Sequence, residues 1–396
     1  MTRYFDHAST TPVKPTAVSV LTELMPQLAN PSSLHGSGRR ARLAVDSARE
    51  QLAAAVGAHS SEVIFTSGGT EADNLALKGL WWQRRAEDPR RRRVLLTGIE
   101  HHAVLDTAEW LEAHEGAELV MIDVDAEGVV DVAAFEALLA EDPETIALAT
   151  VMWANSEVGT VQPIAELARL CAEQAVPFHT DAVQAFGAVP VSFTDSAATT
   201  MAISGHKIGA PVGIGALLVR RDAKLTPVLH GGGQERDIRS GTLDAPGICA
   251  FAAVAQEVVA EREQEAVRLA GLRNQLLEAV VGLDGVTLRG VDPRSAPERR
   301  LPNNLHITVD DAEGDSLLFM LDMAGFDTAT GSACTAGVPR PSHVLLAMGL
   351  SESQARGAQR FTLGWTTTAE DVAALADALP GIVAQSRSAG LAASRR

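Results

Sequence analysis

The chain is 396 residues long, 46% hydrophobic, and carries a formal net charge of −17. That length exceeds what one hydrophobic core usually serves and implies two domains, while the charge opposes broad attraction to nucleic acid or to an anionic membrane face. No run approaches the roughly 18 apolar residues of a spanning helix, and the opening MTRYFDHASTTP lacks a signal-peptide core, so the expectation is a cytoplasmic protein without nucleic-acid or membrane partners.

In chain order, short apolar runs alternate with helical patterns up to about residue 220, which predicts a mainly parallel sheet covered by helices on both faces. EVIFTS, RRVLLTG, AELVMIDV, TIALATVMW, VPFHTD, TTMAIS and IGALLVR read as its strands. In ARLAVDSAREQLAAAVG, Val45, Ala48, Leu52 and Val56 form one apolar helical stripe that Gly57 ends. The basic run Arg90 to Arg93 reads as a solvated loop ahead of a strand.

From residue 245 to 282 a single long helix is predicted, and beyond it NNLHITV and RFTLGW read as strands. With helices at GDSLLFMLDMAG, SHVLLAMG and AEDVAALADALPGIVAQS they make a smaller α+β unit. The expected division is a large domain of residues 16–255 and a small one of residues 1–15 and 256–396. The small, polar tail RSAGLAASRR is expected to fray.

Only four lysines occur in the chain, and one of them, Lys207, sits in AISGHKIGAP, a loop after a buried strand. Unlike arginine, a desolvated lysine can lose its proton and act as an amine nucleophile. The commonest use of such an amine is to hold pyridoxal phosphate, which also requires an electron-sink partner, a phosphate cradle and a ring clamp. Asp181, at the end of VPFHTD, stands at the carboxyl edge where parallel sheets bind ligands; taken alone it reads rather as an ordinary helix cap. FTSGGTEADNLALKG offers the cradle, with Gly68 and Gly69 letting the backbone approach a phosphate and Thr70 opening a helix, and Ser204 and His206 add donors. In isolation that glycine pair is also an ordinary strand-to-helix turn.

Either His101 or His102, in TGIEHHAVLDT, can stack on a ring and exchange protons, and either can be plain polar loop. Their spacing does not resemble a metal site, and none is expected. Among the three cysteines, Cys171 and Cys249 have helical neighbours that argue for burial. Cys334 lies in TATGSACTAGVPRPSH, among small residues with no core to join, where a thiol is either incidental or reactive.

Together these residues closely resemble the cysteine desulfurases, pyridoxal-phosphate enzymes of aminotransferase fold type I. The resemblance runs from YFDHASTTP through NPSSLHGSGRRAR, EVIFTSGGTEADNLALKG, EHHAVLDT, VMWANSEVGTVQPI, HTDAVQAFG, SGHKIGAPVGIGALLVRR and HGGGQERDIRSGT to GSACT and RFTLG. The longer loop around GSACT is similar to the branch that serves iron-sulfur assembly and tRNA thiolation. The resemblance implies an α/β fold with a mainly parallel seven-stranded sheet and a smaller α+β domain, pyridoxal 5'-phosphate as cofactor, L-cysteine as substrate, and a homodimer with its sites at the interface.

Carried over, it makes Lys207 the Schiff-base lysine and proton carrier, Asp181 the pyridinium partner and His101 the stacking, proton-exchanging histidine. Asn155 and Gln184 would contact the ring and its phenolic oxygen, with Asn155 also beside the substrate. Gly69, Thr70, Ser204 and His206 would bind the phosphate, Thr242 would reach the neighbouring subunit's phosphate, and Arg360 would pair with the substrate carboxylate. Cys334 would accept the sulfur as a persulfide and pass it to an iron-sulfur scaffold or a tRNA thiolase. Asp237, Trp365 and Arg340 depart from the commoner pattern, where glycine, arginine and an acid are more usual. A selenocysteine lyase, another fold-type-I enzyme such as an aminotransferase, and a non-catalytic scaffold are the competing readings.

Overall fold

The computed structural model describes residues 2–27, 29–331 and 341–393, with side chains through residue 388. Cys334 and Arg340 therefore lie outside the described residues.

Seven strands form the main sheet, in the spatial order Val63–Thr66, Gly215–Val219, Thr200–Ser204, Phe178–Asp181, Ile146–Thr150, Arg93–Thr97 and Glu118–Ile122. Each falls inside one of the seven apolar runs. Gly215–Val219 runs opposite to the other six strands. Alternate side chains enter opposite clusters: Val63, Phe65, Leu95, Met201 and Ile203 join one, and Ile64, Val94, Leu96, Ala202 and Leu217 the other. The period of two in a strand dictates this split, and it is why both faces need helices. The helix Gly36–Ala55 covers the first face with Val45, Ala48 and Leu52, and Gly57 past its end takes φ +63. The helix Gly69–Glu87 covers the second with Ala72, Leu75, Ala76 and Leu80.

Because six strands point the same way, their carboxyl ends deliver Thr66, Thr97, Thr150, Asp181 and Ser204 to one edge, and the loops that follow carry the polar residues. Arg90, in the basic run, makes exposed ion pairs to Asp88 and Glu144.

The long helix Ala245–Val280 packs its first turns into the large-sheet core through Ile248, Phe251 and Val254. Its later turns enter a separate core through Leu269, Leu272 and Leu276. That second core also takes Phe5, Leu305, Phe361 and Leu375, around an antiparallel sheet of Val286–Leu288, Asn304–Val309 and Ala358–Thr362. Arg3–Tyr4 pairs in parallel with Phe326–Asp327, bringing the amino-terminal segment to this side.

Two expectations are corrected. The tail does not fray at residue 387: the helix Ala369–Ala393 continues, and Arg387 donates to the carbonyl and carboxylate of Asp284, each at 2.7 Å. Cys249 is only half-buried, its Sγ 3.7 Å from the Ala44 carbonyl, whereas Cys171 is buried and desolvation pushes its thiol well above the usual range.

Candidate active site

A cavity of about 420 Å3 opens at the carboxyl edge of the sheet, and its wall includes Gly69, Thr70, His101, Asp181, Gln184, Ser204, His206, Lys207 and Arg360. These candidates are far apart in sequence; apart from Arg360, which the small sheet delivers, they meet because they follow four strands that point the same way and end at one edge. Lys207 closes a single helical turn, Gly205–Lys207, just past the strand Thr200–Ser204. Its Nζ donates to the Ala8 and Ser9 carbonyls at 2.6 and 2.8 Å. Gln184 Nε2 donates to the same Ala8 carbonyl at 2.8 Å. The amino-terminal segment thus runs across the lysine loop, with Thr11 N donating to His206 O and Lys14 N to Gly209 O.

Asp181 is 5% exposed and accepts from Val183 N at 2.8 Å, an Asx-type turn rather than a helix cap. Burial raises its carboxyl above the ordinary range, opposed by His101 and Lys207. His101 caps the helix His102–Glu115: its Nδ1 accepts from Ala103 N at 3.1 Å, so Nε2 is the nitrogen left for other partners. Burial lowers its pKa, and the Lys207 charge lowers it further, against Asp181. His102 instead pairs with Asp106 at 2.9 Å and packs against the His343 ring. His206 is likewise held neutral to about 4, first by burial and then by Lys207.

Arg360, 4% exposed, comes from the strand Ala358–Thr362. Its Nη1 donates to Ser156 O at 3.0 Å and its Nη2 to Asp6 Oδ1 at 2.7 Å and Ser9 Oγ at 3.0 Å. Its Nε is buried without a partner among the described residues.

Two candidates stand elsewhere. Asn155 is fully buried, outside the cavity lining: its Oδ1 accepts from Glu157 N and Val158 N, and its Nδ2 faces Ile99 O and, at 3.4 Å, the Met152 sulfur. Thr242 is exposed and lines a separate small depression with Ser67 and Arg239. The structure also adds residues that the sequence reading passed over: Asp6, Asp73, Glu100 and Glu157. Asp73 and Glu100 carried a signal, being acids beside apolar positions in TEADNLALKG and TGIEHH.

The sequence profile of the aminotransferase class-V family matches residues 3–375. The chain belongs to that family. It is 49% identical over 393 residues to the IscS-like cysteine desulfurase of Mycobacterium tuberculosis, covering 99% of this chain and 98% of the relative. To the cysteine desulfurase IscS of Dictyoglomus turgidum it is 39% identical over 386 residues, covering 97% and 95%. Among solved structures, a NifS-like protein superposes with a TM-score of 0.88 at 32% identity, covering 97% of this chain and 100% of that one. DndA from Streptomyces lividans gives 0.74 at 37% identity, covering 89% and 97%.

Class-V aminotransferases use pyridoxal phosphate, and the wall fits that group. Ser204 Oγ is buried with no partner among the described residues. It faces the glycine turn, 3.9 Å from where a Cβ on Gly68 would stand, and a Cβ on Gly69 would come within 2.8 Å of Val183 Cγ2. An unmet hydroxyl beside a helix start with no side-chain cap among the described residues is suited to a phosphate.

Proposed function

We propose that the chain is a cysteine desulfurase, which moves sulfur from L-cysteine to Cys334 as a persulfide, releases L-alanine, and hands the sulfur to an acceptor for iron-sulfur assembly or tRNA thiolation. The observation that carries this reading is one cavity wall holding an amine, a buried carboxylate and a guanidinium, those of Lys207, Asp181 and Arg360. Pyridoxal phosphate, when bound, supplies an electron sink for the α-carbon of an amino acid.

Each residue then has a task. Lys207 would hold the cofactor and carry the α-proton on Nζ. Asp181 would hold the proton of the ring nitrogen, and His101 would lie against the ring with Nε2 available for proton exchange. Gly69, Thr70, Ser204 and His206 take the phosphate. Gln184 and Asn155 would complete the polar contacts of the ring. Arg360 binds the substrate carboxylate through the Nε that lacks a partner among the described residues.

The Cys334 thiolate attacks the substrate sulfur: an S–S bond forms as the C–S bond breaks, and the electron pair stays with the three-carbon fragment, which is protonated and leaves as alanine. Chain connectivity supports the reach. Gly331 lines the cavity, and three residues of chain span at most about 11 Å. His343 and Val344, beyond the same segment, line it too.

Further parts of the proposal are a homodimer, in which exposed Thr242 meets the neighbouring subunit's phosphate, and a division into units of residues 16–255 and of 1–15 with 256–396, supported by the separate apolar cores. A cytoplasmic site of action agrees with the absence, among the described residues, of any helix long and apolar enough to cross a membrane.

The test is to supply purified protein with pyridoxal phosphate, L-cysteine and a reductant and to measure sulfide and alanine. Equal amounts are expected, with Cys334→Ser losing sulfide while keeping the cofactor's colour and Lys207→Ala losing the borohydride-trapped adduct. Sulfide from Cys334→Ser at the parent rate, or an adduct mapped to another peptide, defeats the reading. Turnover of selenocysteine alone would favour a selenocysteine lyase.

A further inference from the structure

Beside Glu157, which Ser342 Oγ holds, three carboxyl side chains meet in the cavity wall where the proposed chemistry needs one negative charge. Asp181 ends the strand Phe178–Asp181, Asp73 sits on the buried face of the helix Gly69–Glu87, and Glu100 lies in the turn after Arg93–Thr97. All three are buried, Asp73 at 1% and Glu100 at 0% exposure. The charged or titratable groups that share this wall are His101, Lys207, His206 and Arg360, with His102, His343 and Glu157, the last held by Ser342 Oγ, also lining it and His179 behind Asp73.

Arg360 is committed to Asp6 at 2.7 Å and His206 is held neutral down to about 4, which leaves Lys207 and His101 against three anions. His179 is no counter-cation: it is 0% exposed, and burial holds it neutral down to about 3. Its Nε2 lies 3.1 Å from Asp73 Oδ1 and its Nδ1 2.9 Å from Thr200 Oγ1. That chain is satisfied throughout if a protonated Asp73 donates to Nε2 and Nδ1–H donates to the threonine. Glu100 is lopsided. Oε1 accepts from Thr97 Oγ1 at 2.6 Å and from Met152 N at 2.9 Å, while Oε2 is buried with no partner among the described residues. A bare anionic oxygen there costs far more than a neutral hydroxyl.

We propose that Asp73 and Glu100 are positioning residues that each keep a proton at pH 6, leaving Asp181 as the anionic member of these three. Burial acts on all three carboxyls in the same direction, and Asp73 is pushed further up by Asp181 and Glu100. Without assigned proton holders, the proton would settle as readily on Asp181, and a ring nitrogen beside it would lose its counter-ion. The inference rests on the reading of Asp181 as the ring's partner.

Infrared difference spectroscopy at about pH 6, below the value near 7 to which burial lifts Glu100, tests it directly in the cofactor-free and loaded enzyme. Asp73→Asn and Glu100→Gln are each expected to remove one protonated-carboxyl C=O band. Both neutral isosteres should also leave the proton affinity read from the pH titration of the loaded enzyme's visible absorbance within about 2-fold, whereas Asp181→Asn should change it more than about 10-fold. Should a variant fail to fold, the parent chain labelled with 13C at the aspartate or glutamate carboxyl reads the same bands. Loss of ionised carboxylate intensity instead, or a change near 10-fold from Asp73→Asn, would overturn the proposal. Absence of a Lys207 adduct would strike the cofactor reading alone, since the cofactor-free spectra stand apart from it.

Discussion

Arg360 Nη2 lies 2.7 Å from Asp6 Oδ1, a contact between the third strand of the small sheet and the amino-terminal segment. With Nη1 on Ser156 O, the guanidinium is pinned from two sides while Nε has no partner among the described residues. A planar fork held this way can present Nε–H to a substrate carboxylate, and a lysine cannot copy that geometry. Arg360→Lys is therefore expected to raise KM for L-cysteine about 10- to 100-fold with little change in cofactor absorbance. An unchanged KM would remove Arg360 from the substrate's contacts.

Ser204 Oγ gives a sharper test of the phosphate cradle. It is buried and unmet among the described residues, so deleting it removes no bond described in the cofactor-free protein. Ser204→Ala should leave cofactor-free thermal stability within about 1 kcal/mol of the parent. It should weaken pyridoxal phosphate binding by about 10- to 150-fold, the value of one hydrogen bond to a charged group. Equal affinities by equilibrium titration would place the phosphate elsewhere.

Much of this was legible because buried parallel strands read as continuous apolar runs, which is why all seven strands of the large sheet stood out in the sequence. Lys207 and Asp181 were legible as polar groups ending such runs. What escaped was whatever depends on distant chain segments meeting. The Ala8 and Ser9 carbonyls that receive Lys207 are backbone groups with no side-chain signal. Asp73 and His179 lie 106 residues apart and pair only because a helix crosses the sheet. Val286–Leu288 is a three-residue strand, too short for a period to emerge. Asp237 had been marked as unusual where glycine is commoner, and the structure gives the reason: its φ is +59, in the left-handed region.

Glu100 links the cavity to stability. Burial raises its carboxyl from 4.5 to about 7. Below about pH 4.5 both folded and unfolded forms are protonated; between 4.5 and 7 the folded form alone keeps the proton, so stability falls as pH rises through that window. Glu100→Gln removes this dependence. Relative to the parent, the variant should gain about 2–3 kcal/mol on going from pH 4.5 to 8 in denaturant titrations. A difference that stays flat with pH would show that Glu100 is ionised in the folded protein.

The buried histidines act with the opposite sign. His306 pairs across the sheet with Arg360, is fully buried, and has no hydrogen-bond partner for either nitrogen among the described residues. Burial, then the charges of Arg360, Arg300 and Arg289, lowers its pKa from 6.5 to about 3. Above about 6.5 it is neutral in both states; as pH falls below that, the unfolded chain takes a proton that the folded chain refuses, and stability is lost toward pH 3. The cost per such histidine at pH 5 is about 2 kcal/mol. His7 and His179, lowered to about 4 and about 3, add to the same acid limb. His306→Leu should therefore gain about 2 kcal/mol relative to the parent when the comparison moves from pH 7 to 5. If the two proteins lose stability in parallel over that interval, His306 already carries its proton in the folded state.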